Sequence, residues 1–351
     1  MPRRGPGVTI RHVAADAGVS LQTVSRVINK APNVRPETAV RVQASIDKLG
    51  YVPLIAAQRM GGARSRLILA LNDRDRTIAD WRSRQGTDWV DQMLLGGLLT
   101  CAEHGYRMII ELIDTHSDHI GRELSAALGA LQPDGVILTP PHSQDAAILN
   151  MLAEQGIAIA RIGSLTPGPG FSITMDDANA AVLATEHLLE LGHERIGFIA
   201  GPDDYELSEL RTNGWEHAMA TAGAQADLLE QGDFSYASGR SAAEKLLQRD
   251  RPPTAIIACN DQMALATLDL ARERDLSIPH SLSLISFDDT PVARFVHPSL
   301  TAIVQPIAAV TARAVELIIA EQNGQSTACD VISVPATLII RDSTAPPPAL
   351  P

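Results

Sequence analysis

Gln22 and Arg26 stand four residues apart in SLQTVSRVIN, so on a helix they lie one above the other. Glutamine can bond adenine bidentately and arginine can do the same to guanine, so the pair suits base edges in a DNA major groove. Nearby hydroxyls on Thr9, Ser20, Thr23 and Ser25 suit phosphate oxygens, which position a protein on DNA without reading sequence. A second constellation lies far down the chain. Asn260 and Asp261 follow the apolar run TAIIAC, and Asp288 and Asp289 follow LSLISF. In open parallel sheets, ligands lie beyond the carboxyl ends of the strands. Carboxylates accept from adjacent hydroxyls, amides accept and donate, and arginine donates in a fixed fork. Arg211 in SELRTNGW and Phe234 in GDFSYASG add the fork and an apolar face, completing the types that hold a sugar ring. Each residue taken singly has a structural alternative. Asn260 or Asp261 could cap the next helix, Asp289 a turn, and Gln22, Arg26 and Arg211 could be solvated. Trp215 reads as core, and Arg161 in IAIARIGS is a further candidate of the same kind.

The first constellation needs a rigid support, and VTIRHVAADAGVSLQTVSRVIN supplies one. Thr9 is placed to cap a helix with the apolar stripe Ile10, Val13, Ala14 and Ala17. Gly18 makes the turn and Val19 plugs the space beneath it. Ser20 caps a second helix whose Val24, Val27 and Ile28 face inward, leaving Leu21, Gln22, Ser25, Arg26 and Asn29 outside. A third helix starts at Pro36 with Glu37 in its first turn and ends at Gly50, and Ala39, Val42, Ile46 and Leu49 close a small core. PLIAAQRM then forms a helix-capable stretch before Gly61-Gly62.

VTIRHVAADAGVSLQTVSRVIN…YVPLIAAQRM resembles the DNA-binding headpiece and hinge of the LacI/GalR family of bacterial transcriptional regulators. That resemblance implies base contacts from Leu21, Gln22 and Arg26. It also implies a hinge helix carrying Ala57 and Met60 into the minor groove, where an apolar wedge kinks the duplex. The family commonly has leucine where this chain has Met60 and asparagine where it has Leu54.

Charge divides the 351-residue chain in the same place. Residues 1–64 hold ten Lys/Arg against three Asp/Glu, net +7, and the remainder nineteen against thirty-eight, net −19. A basic head on an acidic body fits phosphate binding at one end, so the overall charge of −12 does not argue against DNA. Cys101, Cys259 and Cys329 are scattered and odd in number, and read as core thiols in a reducing cytoplasm. MPRRGPG is too short for a signal peptide and no apolar run spans a membrane, which points to a cytoplasmic protein. His116 and His119 have a spacing a metal could use, but no third ligand accompanies them, so no metal is expected. His187 and His193 flank a helix end, where partial positive charge is welcome.

From residue 66 short apolar runs alternate with helical patterns, the signature of parallel sheets covered on both faces. The runs lie at 66–71, 106–112, 135–139, 157–162, 195–201, 254–260 and 282–287. Helical patterns lie near 88–104, 120–131, 145–155, 177–191, 206–222, 238–249, 260–273 and 306–322. The number of elements implies two doubly wound parallel α/β lobes behind an all-α helix-turn-helix headpiece. NDQMALA, FDDTP and RDST recur in the order of the family's effector core, whose fold is similar to periplasmic sugar-binding proteins. The expected organisation is a headpiece at 1–52 and a hinge and linker at 53–64. An N-lobe of 65–170 plus 304–332, a C-lobe of 171–303 plus 333–342 and a proline-rich tail at 343–351 follow. The chain crosses between lobes near 170, 303 and 333. TPGPGF marks the first crossing, and the APPPALP tail lacks the leucine heptads of a tetramer.

Similarity to the lactose-type branch implies that Arg211, Phe234, Asn260, Asp288 and Gln305 line the effector site. Phe234 stands where that branch has tryptophan, and Leu207 replaces a serine. The charged segment 72–92, longer than most of the family's, carries Trp81 and Trp89. It is either a solvated loop with buried tryptophans or a specificity loop using Asn72, Asp73 and Trp81. Together these features imply a sugar-controlled repressor that binds a pseudo-palindromic operator as a homodimer. A bound ligand would change the angle between lobes and unpair the hinge helices. A nucleobase effector, as in the family's purine-sensing branch, or a ligand that tightens DNA binding stays open, with the recognition helix and GDFSYASG favouring a sugar. A nucleotide-cofactor enzyme does not fit: no Gly-x-Gly-x-x-Gly, phosphate-binding loop or Gly-x-Ser-x-Gly elbow is present, and no cofactor is expected.

Overall fold

Helix α1 (Ile10–Ala17) ends where Gly18 turns left-handed at φ +64°, a conformation that strains any residue with a Cβ. Helix α2 (Leu21–Ile28) starts at Ser20, whose Oγ accepts the Thr23 N–H at 3.1 Å. Helix α3 (Pro36–Leu49) opens on proline, carries Glu37 in its first turn and ends at left-handed Gly50. Val13, Ala14, Ala17, Val24, Val42 and Tyr51 form the buried centre, with Ile46 and Leu49 packed against it. The computed structural model describes residues 8–28, 33–51, 64–114, 119–325 and 331–348. They group into two units, Met1–Ser65 and Arg66–Pro351, and the three helices belong to the first.

The second unit is built on two sheets. Strands β1 (Leu67–Asp73), β2 (Arg107–Ile113), β3 (Gly135–Leu138), β4 (Ala158–Ile162) and β5 (Phe171–Thr174) alternate with α4 (Arg74–Ser83), α5 (Asp88–Glu103), α6 (Ile120–Leu131) and α7 (Ala146–Glu154). The chain then enters the C-lobe: α8 (Asp177–Glu190), β6 (Ile196–Ala200), α9 (Glu206–Thr221), β7 (Leu229–Gln231) and α10 (Tyr236–Leu247). There follow β8 (Ala255–Ala258), α11 (Asp261–Glu273), β9 (Ser283–Asp288), α12 (Pro291–Phe295) and β10 (Thr301–Val304). Helix α13 (Ile307–Gln322) and β11 (Val331–Ser333) return to the N-lobe, and β12 (Thr337–Ile339) rejoins the C-lobe. Strand orders are β11-β5-β4-β3-β1-β2 and β12-β10-β9-β8-β6-β7, parallel except where β12 meets β10. The central strands β3, β6 and β8 are apolar and buried along their whole length, because helices cover both faces of each sheet.

Several sequence expectations shift. Phe171–Thr174 pairs with β4, so the first crossing follows Thr174 and not residue 170, and TPGPGF stays within the N-lobe. Strand β10 carries the C-lobe sheet to Val304, and Val331–Ser333 pairs with β5 before the last crossing. The tail expected from 343 begins docked, because Ser343 is fully buried and donates to the Leu284 carbonyl at 2.5 Å. Segment 72–92 is neither loop: Asp73 accepts the Arg76 N–H at 2.8 Å and starts α4.

His193 also departs from expectation. It is buried, and Nε2 donates to the Ala345 carbonyl at 2.9 Å while Nδ1 pairs with Thr254 at 2.8 Å. Burial lowers its pKa, so it serves as a neutral clamp on the C-terminal segment and not as a helix-end cation. His187 is likewise lowered, by burial, and contacts Thr344 at 3.0 Å. Cys101 and Cys259 are free and buried, and burial pushes their thiols up to about 11 and about 12. Cys329 lies outside the described residues.

Candidate functional site

On the headpiece, Leu21, Gln22 and Arg26 lie exposed along the outer side of α2, with Leu21 44% accessible. Thr23 and Ser25 are half-buried beside them. The Ser20 hydroxyl is engaged in the cap and with the Thr23 hydroxyl at 2.9 Å, and the Thr9 N–H donates to His12 Nδ1 at 3.1 Å. The helix therefore presents Gln22 and Arg26 near its N-terminus on a support held by its own caps. Asn29, Ala57 and Met60 lie outside the described residues.

Between the two lobes of the core is a cavity of about 360 Å³. Asn72 and Asp73 reach it from the end of β1, and Asp288 from the end of β9. Arg211, Phe234, Asn260 and Gln305 complete the expected set on its wall. Arg161 does not join them. It is buried in the N-lobe, where Nη1 donates to the Thr166 carbonyl at 2.6 Å and so fastens the proline-glycine turn.

The polar groups of the wall are held by one another and by the backbone. Arg211 pairs with Asp177 at 2.8 Å, both 2% exposed, donates to the Cys259 carbonyl at 2.9 Å and lies 4.7 Å from the Phe287 ring. Asn260 caps α11 by accepting the Met263 N–H at 2.9 Å, and donates to the Phe234 carbonyl at 2.8 Å. Its capping role and its place on the cavity wall coexist. Asp261 accepts from Ser286 Oγ at 2.6 Å and from the Thr290 N–H at 2.7 Å. Asp288 accepts from Gln305. Burial, and then the Asp261 carboxylate, raise the Asp288 pKa to about 7. Asp289 points away from the cavity to Arg341 at 2.6 Å and Arg294 at 3.0 Å. Phe234, Asp288 and Asp289 have φ of +67°, +97° and +56°, so strain is concentrated along this wall, as at many binding sites.

Sequence reading missed part of the wall. Arg76, Asp80, Asp88 and Trp89 come from α4 and the start of α5, and Tyr205 faces them from the C-lobe. Trp89, not Trp81, faces the cavity; Trp81 is 46% exposed. The charge alternation in NDRDRTIADW was the available signal, but only the helical turn decides which charges point inward. Leu207 lines the wall as expected, and Trp215 is core, stacked on Phe198 at 5.3 Å.

Residues 9–53 match the bacterial regulatory proteins of the lacI family, and residues 185–344 match a periplasmic binding protein-like domain. HTH-type transcriptional regulator DegA of Bacillus subtilis is 33% identical over 344 residues, 96% of this chain and 98% of that one. The chain belongs to the LacI family. It is a DNA-binding transcriptional regulator, and its relatives are regulators, not enzymes. Among solved structures, a lac repressor dimer bound to operator and the anti-inducer ONPF superposes with a TM-score of 0.81 at 27% identity. That match covers 97% of this chain and all of that one. A CelR–cellobiose complex superposes with a TM-score of 0.72 at 29% identity, covering 96% and 99%. HTH-type transcriptional regulator CelR of Thermobifida fusca is 30% identical over 347 residues, 97% of this chain and 99% of that one. Among the described residues no helix is long and apolar enough to cross a membrane.

Proposed function

We propose that this LacI-family regulator is a cytoplasmic repressor of carbohydrate-utilisation genes whose grip on a pseudo-palindromic operator is set by a sugar in the interlobe cavity. The observation that carries the reading is the convergence of Arg211, Asn260, Asp288 and Gln305 with the Phe234, Tyr205 and Trp89 rings on one cavity. Hydroxyl-binding groups beside aromatic faces are what a sugar ring requires. The cellobiose held by the related CelR supports the same class. Charge narrows it further. Asp73, Asp80, Asp88 and Asp261 face the cavity against Arg76 and Arg211, and Arg211 is already matched by Asp177. An anionic sugar phosphate would be repelled, so the effector is an uncharged glycan.

On the DNA side, Leu21, Gln22 and Arg26 read bases, Thr9, Ser20, Thr23 and Ser25 hold phosphates, and Asn29, Ala57 and Met60 complete the contact from outside the described residues. Reading two half-sites calls for two headpieces. Leu95, Leu98 and Leu99 stand 49%, 46% and 58% exposed at helical spacing on α5, which supports a homodimer formed through the N-lobes.

The deciding experiment is thermal unfolding against neutral mono- and oligosaccharides, sugar phosphates and nucleobases. A ligand at a hundred times its Kd adds about 2.7 kcal/mol of stability. A neutral-sugar response that disappears in Asp288→Ala is expected. A nucleobase response, or none, would sink the sugar assignment while leaving the DNA-binding role intact.

A further inference from the structure

The cleft continues past α4. Beyond the main cavity is a second space of about 240 Å³, lined by Asp75, Pro141, Pro202, Asp204 and Asp233. The two spaces share Asp73, Arg76 and Tyr205 as a common wall. Arg76 rises from the N-lobe and crosses to the C-lobe, where Nη1 donates to the Asp233 carbonyl at 3.2 Å. Its guanidinium carbon lies 5.0 Å from the Phe234 ring centre and 5.4 Å from that of Tyr205. Those two rings meet edge-on at 6.0 Å. On its own lobe, Nε is 3.9 Å from Asp80. A planar cation laid on two aromatic rings takes the position that a stacked sugar ring of an extended ligand would need.

We propose that Arg76 is a gate that sets the length of effector the cleft admits. With the guanidinium seated on Tyr205 and Phe234, a glycan ends inside the main cavity. With that side chain removed, the two spaces join and longer glycans extend outward between Asp75 and Asp204. Arg76 is thus a specificity-determining residue, not a general-purpose ligand contact. The inference rests on the reading of the cavity as a sugar site.

The test is titration calorimetry of the full-length protein with glucose, cellobiose and cellotriose, and with the maltose series in parallel. The parent protein, Arg76→Ala and Arg76→Met are compared. The alanine variant is expected to raise trisaccharide affinity relative to the shorter sugars by about tenfold or more. Methionine fills the passage without the charge, and should keep that ratio within about threefold of the parent. Arg76→Gln, with its shorter reach, replaces the alanine variant if melting shows the latter unfolded. Equal weakening of all lengths in the truncated variant, or an equal shift in the methionine variant, overturns the gate while the sugar site stands. Absence of binding by every glycan in every protein overturns the sugar reading and the gate with it.

Discussion

Arg26 carries the sharpest residue-level expectation. It is exposed on α2 four residues from Gln22, and its fork matches the two acceptors of a guanine edge. Arg26→Ala should weaken operator binding by about 1–3 kcal/mol and relax one base position. Fluorescence anisotropy on an operator with each base varied measures this, and the effector-induced rise in Tm should be unchanged. Asp288 offers a second expectation, in pH. Burial first, and the Asp261 carboxylate after it, hold its pKa at about 7 against an ordinary 3.8. The folded protein then binds this proton more tightly than the unfolded chain. The stability it contributes is present below about pH 4 and is lost as the pH rises to about 7. Asparagine cannot ionise, so the Tm of Asp288→Asn should gain on the parent between about pH 5 and pH 8. A constant difference across that range would mean that the carboxylate titrates normally.

Elements in this molecule meet through glycine contacts that allow almost no added volume. A Cβ on Gly96 of α5 would lie 1.9 Å from the Ala308 carbonyl oxygen of α13, whereas one on Gly129 of α6 would meet nothing. Gly96→Ala should therefore cost about 1–3 kcal/mol or more through overpacking. Gly129→Ala should stabilise by about 0.5–1 kcal/mol, because alanine is the better helix former. Urea unfolding of both variants separates crowding from helix propensity, and a loss in both would discard this account. The elements themselves were largely legible in the chain. The seven apolar runs appear as strands and the eight helical patterns as helices, because each buries a face its own periodicity specifies. Phe171–Thr174, Val331–Ser333 and Thr337–Ile339 were not legible, since they lack the continuous apolar run that marks the equally short Gly135–Leu138 and Ala255–Ala258. Their hydrogen bonds come from partners far away in sequence.

The two lobes are tied on one side of the cleft by Glu206 and Gln144. Glu206, at the start of C-lobe helix α9, accepts from Ser164 Oγ at 2.5 Å, the Leu165 N–H at 2.8 Å and Thr166 Oγ1 at 2.9 Å, all on the N-lobe. Gln144 adds a bond to the Asp204 carbonyl at 2.7 Å and accepts the Glu206 N–H at 2.9 Å. Glu206→Ala should let the lobes open. Small-angle scattering of the unliganded protein would show a larger radius of gyration, shrinking again with effector. An unchanged radius would mean the closed arrangement is held elsewhere. What sequence alone determined is local: caps, turns and periodicity specify the headpiece and the alternation of strands and helices, because neighbours along the chain satisfy them. Tertiary structure decided which polar residues share a space. Arg161 and Arg211 are both buried arginines, yet one fastens a turn within the N-lobe and the other lines the cavity. Arg76, Trp89 and Tyr205 join that cavity only because α4 folds over it and the second lobe closes against them. A buried arginine takes whatever carboxylate or carbonyl the packing brings near, and that choice is made by chain segments remote in sequence.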